Sequence, residues 1–160
     1  MIRPMKPQDN DRILEINIFA WRKSYRHIFS DELLFKTRLA TSRGGLFGHN
    51  TGHETYVYDD GIIKGYVMLD PCEDADLLDC FEICELYIDP FMQKQGIGRA
   101  MADFSEKIAA ARGFGKICLW TLEKNTDARI FYEKLGYAVD GARKTIKEMG
   151  VHQVRYSKKI

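Results

Sequence analysis

The sequence has little that marks a membrane, secreted or nucleic-acid-binding protein. Its charges nearly cancel, with 24 Lys and Arg against 23 Asp and Glu, so no net field attracts a polyanion. No apolar run approaches the roughly 18 residues of a membrane span, and no signal-peptide core follows Met1. We therefore expect a cytoplasmic protein with neither a nucleic acid nor a membrane as partner.

Cysteine and histidine are also scarce, with four residues of each. Cys80 and Cys84 on one strand would lie about 13 Å apart at ~3.3 Å per residue, too far to share a zinc ion. His49 and His53 lie in a glycine-rich stretch, residues 42–53, that favours an irregular loop. The sequence therefore predicts no metal site and reduced, mostly buried thiols.

What is present is the composition of an ordinary globular chain, 45% hydrophobic and 29% charged over 160 residues. This length predicts a single domain over residues 1–160. Helical periodicity predicts helices over residues 9–27 and 99–112, with a short helix between them that starts after Ser30 and ends near Leu39. The predicted buried faces are Leu14, Ile18, Trp21 and Tyr25 in the first helix and Met101, Phe104, Ile108 and Ala111 in the third.

Strand patterns fill the rest of the chain. Asp60-Gly61 predicts a hairpin turn between strands 55–59 and 62–69, and buried strands are predicted at 81–88 and 116–122. Two final strands are predicted at 138–143 and 151–158. The order is helices first, then antiparallel strands, then strand, helix, strand, helix and a closing strand pair, which indicates an α/β layered domain.

The most informative segment is Gln93-Lys94-Gln95-Gly96-Ile97-Gly98, which joins the 81–88 strand to the third helix. A strand that enters a helix through two glycines exposes backbone N–H groups at the helix N-terminus, where anions bind. A dinucleotide fingerprint would need a glycine in place of Met101. A P-loop would need Lys and then Ser or Thr in place of Arg99 and Ala100.

A second block follows the 116–122 strand. Asn125 precedes a short helical run that carries Phe131-Tyr132 and ends in Leu135-Gly136-Tyr137. Together, in this order and at this separation, the two blocks resemble the signatures of the GNAT superfamily of acyl-CoA-dependent N-acetyltransferases. The resemblance implies a mixed, largely antiparallel central sheet of about six to seven strands, flanked by about four helices, with a splayed strand pair that binds the cofactor.

The resemblance also implies acetyl-CoA as acyl donor. In the family, the strand before the glycine loop pairs with the pantetheine amides, the loop amides hold the pyrophosphate, and an asparagine orients the cofactor or the catalytic tyrosine. Asn125 has helix capping as its alternative role, for which Thr126 competes. The matching cofactor-binding positions are Leu86, Tyr87, Ile88, Gln93, Lys94, Gln95, Gly96, Ile97, Gly98, Arg99, Asn125 and Tyr132.

Two residues are candidates for proton transfer. Tyr132 matches the family tyrosine that protonates the departing thiolate, and Phe131 beside it is expected to be core. Glu82 matches a glutamate that some family members use as general base, while Glu85 and a water relay remain alternatives. The resemblance places five residues near the acceptor, although aromatics at helical spacing are more often core than ligand contacts: Trp21, Arg22, Tyr25, Phe29 and Tyr66.

The expected reaction is direct attack of a primary amine on acetyl-CoA in a ternary complex. The sequence does not choose among small molecules, peptide N-termini and protein lysines as the acceptor. A second reading, from a different functional class, is a non-catalytic acyl-CoA sensor or interaction module. Whether the protein forms a homodimer is left open.

Overall fold

The computed structural model describes residues 1–37 and 53–160. Most of the predicted 42–53 loop, including His49, and the predicted helix end at Leu39 lie outside the described residues. Three α-helices are described, α1 (Asn10–Tyr25), α2 (Ile97–Ala111) and α3 (Thr126–Lys134). The strands are β1 (Ile2–Pro4), β2 (Glu54–Asp59), β3 (Ile63–Pro71), β4 (Cys80–Ile88), β5 (Lys116–Leu122), β6 (Ala138–Ile146) and β7 (Val151–Lys159).

The seven strands form one sheet in the order β1-β2-β3-β4-β5-β7-β6. The expectation that the chain starts with helices is wrong, because β1 precedes α1 and pairs antiparallel with Tyr56–Tyr58 of β2. A three-residue strand has no periodicity of its own, and this one depends on a distant partner. The mixed, largely antiparallel layered fold predicted from the sequence is confirmed.

The sheet is parallel where β4 and β5 pair. Their ladder joins Cys80, Phe81 and Glu82 to residues 116–118, whereas β4 continues to Ile88 and β5 to Leu122. α2 connects these two strands, as expected for a parallel crossover. On its other side, β5 pairs antiparallel with β7 over seven residues, and β7 in turn pairs with β6.

Two predicted helix faces are wrong in part. The fully buried side chains of α1 include Ile13, Ile16 and Asn17, whereas three of the four predicted residues, Leu14, Ile18 and Trp21, are only half-buried. In α2 the buried positions are Ile97, Met101, Ala102, Ser105 and Ala109, and the predicted Ala111 is exposed. The observed buried faces are rotated about the helix axes relative to the predicted ones. Small or polar residues occupy part of each buried face, and the prediction counted only large apolar residues.

Helix ends agree better with the sequence. The Ser30 hydroxyl oxygen accepts a hydrogen bond from the Leu33 amide at 3.3 Å, as expected of an N-cap, although residues 33–37 then form a π-helical turn. Gly113 ends α2 with φ +86°, and the next amide, that of Phe114, donates to the Ala109 carbonyl at 3.1 Å. Glycine is favoured there because the left-handed conformation carries no side-chain cost.

The chain divides into two compact units. The first contains residues 1–68 and 85–102, within its described part, and the second contains residues 69–84 and 103–160. A single domain over 1–160 stays a prediction. No helix among the described residues is long and apolar enough to cross a membrane.

Candidate functional site

The segment between β4 and α2 is shaped by local hydrogen bonds. Asp89 follows β4, and its carboxylate accepts from the Phe91 amide at 2.8 Å, which starts a 3-10 turn over Pro90–Met92. Two residues then take left-handed backbone conformations, Lys94 with φ +63° and Gly96 with φ +79°. This sharp turn allows the helix to begin at Ile97, two residues earlier than the sequence predicts.

The first turn of α2 presents free backbone donors. The Ala100 amide is the first to bond within the helix, to the Gly96 carbonyl at 3.0 Å, so the amides of residues 97–99 precede the helical ladder. Ile97 is buried, whereas Lys94 and Arg99 are exposed beside the turn. The segment therefore combines a glycine loop, a helix N-terminus and two exposed cations, and the binding of an anion there stays a prediction.

Arg12 of α1 fixes the start of the loop, a role that the sequence did not reveal. Its guanidinium forms an ion pair with the buried Asp89 and donates to the Ile63 carbonyl at 3.0 Å. The Asp89 amide in turn donates to the Lys64 carbonyl at 2.8 Å. Arg12 and Asp89 lie far apart in the sequence, and neither belongs to a recognisable motif.

Gln93 links the loop to two other elements. Its side-chain amide nitrogen donates to the Ile88 carbonyl at 3.4 Å, and its side-chain oxygen accepts from Lys23 of α1 at 2.6 Å. Gln93 therefore acts in this structure by holding the loop against the end of β4. A direct contact of Gln93 with the cofactor stays a prediction.

The last residues of β4, Leu86, Tyr87 and Ile88, lie beyond the ladder with β5. Burial raises the pKa of the Tyr87 hydroxyl well above its usual value, so this group stays protonated, and it lies 3.3 Å from the Tyr25 hydroxyl. β3 approaches closely here, since a Cβ added to Gly65 would lie 2.9 Å from the Tyr87 carbonyl oxygen. Only glycine permits this approach.

Glu85 belongs to a buried polar cluster in the same unit. Its carboxylate accepts from the Tyr66 hydroxyl at 2.6 Å, and the Asn17 amide lies 3.4 Å from the same oxygen. Asn17 is fully buried and also donates to the Tyr66 hydroxyl oxygen at 2.6 Å. The sequence signal that could have revealed this cluster is an asparagine among the apolar residues of the predicted helix, because a polar side chain on a buried helix face needs hydrogen-bond partners.

Glu82 lies in the second unit and has different surroundings. It is half-buried and is paired in register with Cys118 of β5. Glu82 thus belongs to the second unit and Glu85 to the first, although both lie on β4.

Asn125 and Tyr132 also belong to the second unit. Asn125 is the N-cap of α3, and its side-chain oxygen accepts from the Ala128 amide at 3.3 Å, so Thr126 is the first helical residue. Tyr132 is buried and its ring packs edge-on against Phe131 and Tyr137. Contrary to expectation, Tyr132 is more deeply buried than Phe131, which is half-exposed.

Comparison with known proteins identifies the family. The family model described as "Acetyltransferase (GNAT) family" matches residues 10–137, which include the glycine loop, Asn125 and Tyr132. The chain belongs to the GNAT family. This confirms the resemblance inferred from the two sequence blocks.

Curated GNAT relatives match at modest identity. An uncharacterized N-acetyltransferase of Mycobacterium bovis is 35% identical over 86 residues, 52% of this chain and 51% of the relative. The chain thus spans about half the length of this relative. The 5-NmdU N-acetyltransferase of Pseudomonas phage PaMx11 is 24% identical over 141 residues, which cover 88% of this chain and 89% of the relative.

Solved GNAT structures share the fold. A GCN5-related N-acetyltransferase from Rhodopseudomonas palustris has a TM-score of 0.80 at 22% identity, covering 100% of this chain and 95% of that one. The PaiA N-acetyltransferase from Thermoplasma acidophilum, solved in complex with coenzyme A, has a TM-score of 0.71 at 21% identity over 100% and 98% of the two chains. At these identities the likeness concerns the fold alone.

Proposed function

We propose that this chain is an N-acetyltransferase that transfers the acetyl group of acetyl-CoA to a primary amine. The observation that carries the proposal is the segment from β4 to α2 in a chain of the GNAT family. It combines a strand end that lies beyond its ladder with a helix N-terminus whose first amides lack intrahelical acceptors.

The cofactor would use both features. The backbone of Leu86, Tyr87 and Ile88 would pair with the pantetheine amides as a further strand does. The amides of Ile97, Gly98 and Arg99 would then bind the pyrophosphate, because a helix N-terminus stabilises negative charge. Lys94, Gln95 and Gly96 would contribute their exposed backbone or side chains, and Gln93 would fix the loop geometry.

The reaction is a direct attack of the amine on acetyl-CoA, by addition and then elimination. The nitrogen of a neutral amine attacks the thioester carbon, forming a C–N bond, and the C–S bond breaks as the tetrahedral intermediate collapses. The amine loses one proton to a base, and the departing sulfur gains one from an acid. The products are an N-acetylated amine and coenzyme A with its thiol protonated.

Tyr132 is the proposed acid, and Asn125 the residue that holds its helix. A tyrosine hydroxyl at this position could donate its proton to the departing sulfur. Two observations support this role. Tyr132 matches the family motif, and its side chain is buried, with 7% exposed, whereas Phe131 is only half-buried. The cap that Asn125 provides fixes the first turn of α3, six residues before Tyr132.

The proposed base is a carboxylate of β4. Glu82 is the candidate that the family resemblance favours. Glu85 is the alternative, because the Tyr66 hydroxyl orients its carboxylate at 2.6 Å. Isosteric variants separate the two, since Glu82→Gln and Glu85→Gln each remove one proton acceptor and keep the side-chain volume.

The acceptor is a primary amine that binds as a cation and reacts after losing a proton. The first unit suits such a ligand, because the Glu85 carboxylate lies within a group of aromatic side chains, and ring faces and a carboxylate both attract ammonium groups. Tyr66 and Tyr87 lie with ring centroids 5.8 Å apart, and Trp21 and Tyr25 lie 4.7 Å apart. The names of relatives, such as the phage 5-NmdU N-acetyltransferase, do not define the acceptor of this chain.

The first experiment tests the cofactor. Acetyl-CoA at about 100 times its dissociation constant should stabilise the fold by roughly 2.7 kcal/mol, on the order of 5 to 10 °C in melting temperature. Coenzyme A and longer acyl-CoAs serve as comparisons for acyl-chain preference. No shift with any of them at saturation would contradict the cofactor assignment.

The second experiment tests catalysis and the rival sensor function. A panel of primary amines is screened for thiol release, and pH–rate profiles are then measured for the Tyr132→Phe, Glu82→Gln and Glu85→Gln variants. Tyr132→Phe should lower turnover by roughly 100-fold while acetyl-CoA affinity changes little, and loss of the base should be partly rescued at alkaline pH. Tight cofactor binding without turnover on any amine would favour a non-catalytic acyl-CoA sensor.

A further inference from the structure

Three cysteines that are distant in sequence converge in the second unit. Cys72 follows β3, Cys80 begins β4, and Cys118 lies near the middle of β5. Their sulfur atoms all lie within 4.8 Å of one another, and all three are reduced. Cys80 and Cys118 are buried, whereas Cys72 is half-buried.

Backbone hydrogen bonds hold the three positions together. The Cys72 amide donates to the Cys80 carbonyl at 2.9 Å, which places these two residues side by side. In the parallel ladder Cys80 pairs with Lys116, and Glu82 pairs with Cys118. Because side chains alternate with period two, Cys80 and Cys118 point to the same face of the sheet.

The loop that carries Cys72 is also fixed. Arg155 of β7 is 3% exposed and binds two carboxylates of that loop, Asp74 at 2.9 Å and Asp76 at 2.5 Å. The Trp120 indole nitrogen donates to Asp74 at 2.9 Å. A ligand of the three thiols would therefore meet a site that is already ordered, at little cost in conformational entropy.

The sulfur spacing suits a metal ion. Three thiolates at the usual Zn–S distance of about 2.3 Å lie about 3.8 to 4 Å from one another, so sulfurs within 4.8 Å need movements of less than about 1 Å. A disulfide brings only two sulfurs together, at about 2.05 Å, and leaves the third thiol beside them.

We propose that Cys72, Cys80 and Cys118 form a binding site for Zn²⁺. The ion gains three Zn–S bonds, the three S–H groups release three protons to solvent, and one water stays as the fourth ligand on the side where Cys72 is exposed. Three thiolates with one open position suit a thiophilic ion with tetrahedral coordination. The site departs from the sequence-based expectation of no metal, and it does not depend on the proposed acetyl transfer.

The sequence could not reveal this site from cysteine spacing. Cys84, which lies on the same strand as Cys80, does not belong to the cluster. Cys118 joins through the pairing of β4 with β5, and Cys72 joins through its backbone bond to Cys80. The ligand set therefore follows from sheet topology.

The test begins with whole protein that has been reduced, freed of metal by chelation and transferred to chelator-free buffer without air. Zn²⁺ is titrated against a chromophoric competitor, and bound metal is counted by mass spectrometry. We expect one ion per chain and the release of up to three protons in weakly buffered solution. Co²⁺ should replace Zn²⁺ and give sulfur-to-metal charge-transfer absorption.

Variants identify the ligands. Cys72→Ala and Cys118→Ala should each weaken Zn²⁺ affinity by more than about 100-fold, since even residues that only orient metal ligands are worth about 10 to 100-fold. Cys84→Ala is the matched control, because Cys84 lies on the same strand as Cys80 but outside the cluster, and it should bind as the wild type does. Circular dichroism and melting temperature verify that each variant is folded.

Three outcomes would overturn the proposal. The first is no Zn²⁺ uptake by the reduced wild type at millimolar ion. The second is uptake that Cys72→Ala and Cys118→Ala leave unchanged, which would place the ion elsewhere. The third is peptide mapping of air-exposed protein that finds a disulfide within the cluster while the reduced protein binds no ion, which would indicate a redox pair. If Cys118→Ala fails to fold, the Zn²⁺ affinities of Cys72→Ala and Cys72→Ser still test the proposal, because Cys72 is only half-buried.

Discussion

Gly65→Ala tests whether the close approach of β3 to the end of β4 matters for stability and for the cofactor. A Cβ at this position would lie 2.6 Å from the Ile88 Cδ1 atom and 2.9 Å from the Tyr87 carbonyl oxygen. The side-chain methyl of Ile88 can rotate away, but the carbonyl belongs to the backbone of a paired strand. The new methyl group must therefore displace β3 or the end of β4.

The expected cost follows from overpacking. An extra methyl group in a well-packed core typically costs about 1 to 3 kcal/mol, which corresponds to roughly 2 to 12 °C in melting temperature for a chain of this size. Because Tyr87 and Ile88 are proposed to pair with pantetheine, acetyl-CoA affinity should also fall. Denaturant unfolding measures the first effect and calorimetry the second.

Gly115→Ala is a demanding control. Its added Cβ would also meet an atom at 2.9 Å, but that atom is Oδ2 of Asp79, at the end of a side chain that can move. We expect a clearly smaller loss of stability and unchanged acetyl-CoA affinity. If Gly65→Ala were as stable as the wild type, or no worse than Gly115→Ala, the reasoning from backbone contact would be refuted.

Three further predictions concern a cap, an ion pair and the glycine loop. Asn125→Ala should cost about 1 kcal/mol by removing the cap on the Ala128 amide, and Asn125→Ser should recover most of it in denaturant unfolding; equal losses would argue against capping. Hydrogen bonding from Arg3 lowers the pKa of Asp9, so its stabilisation is complete above the unfolded-state pKa of about 3.9 and is lost as pH falls through the lower folded value. Asp9→Asn should therefore be less stable at neutral pH and lose less on acidification, and parallel acid unfolding curves would contradict this. Gly98→Val should weaken coenzyme A binding by about tenfold or more, the worth of one charge-assisted hydrogen bond, in a protein that still folds; unchanged affinity by calorimetry would make the loop structural only.

Local features of the sequence predicted local features of the structure well. The turn at Asp60-Gly61, the Ser30 cap and the left-handed Gly113 each depend on a few adjacent residues, and each has the expected role. The glycine loop belongs to this class only in part, because Gly96 takes a left-handed conformation that favours glycine, whereas the other left-handed residue is Lys94 and Gly98 lies within the helix. The helix also begins at Ile97, two residues earlier than predicted.

Features that depend on distant contacts were missed or misjudged. The buried face of α1 centres on Asn17, whose position in the core makes sense only with Tyr66 and Glu85 beside it. The apolar count alone assigned that face to residues such as Leu14. The strand at Ile2–Pro4 depends in the same way on a partner more than fifty residues away.

The candidate site shows the same difference between features that a local motif reveals and features that depend on distant contacts. Tyr132 and the loop residues were found by motif, and their catalytic and binding roles stay predictions. Arg12, which fixes Asp89 at the start of the loop, carries no motif and is visible only in three dimensions. The three-cysteine cluster likewise needs the pairing of β4 with β5 before its members become neighbours.

The position of β7 has a consequence for synthesis of the chain. β7 follows the other six strands of this sheet in the sequence, yet it lies between β5 and β6 and bonds to β5 over seven residues. Until Val151–Lys159 leave the ribosome, β5 has an open edge with the apolar sequence Ile-Cys-Leu-Trp, and open apolar edges recruit other chains. A stalled or truncated chain should therefore aggregate through β5. Chaperones should stop binding β5 once β7 has paired with it.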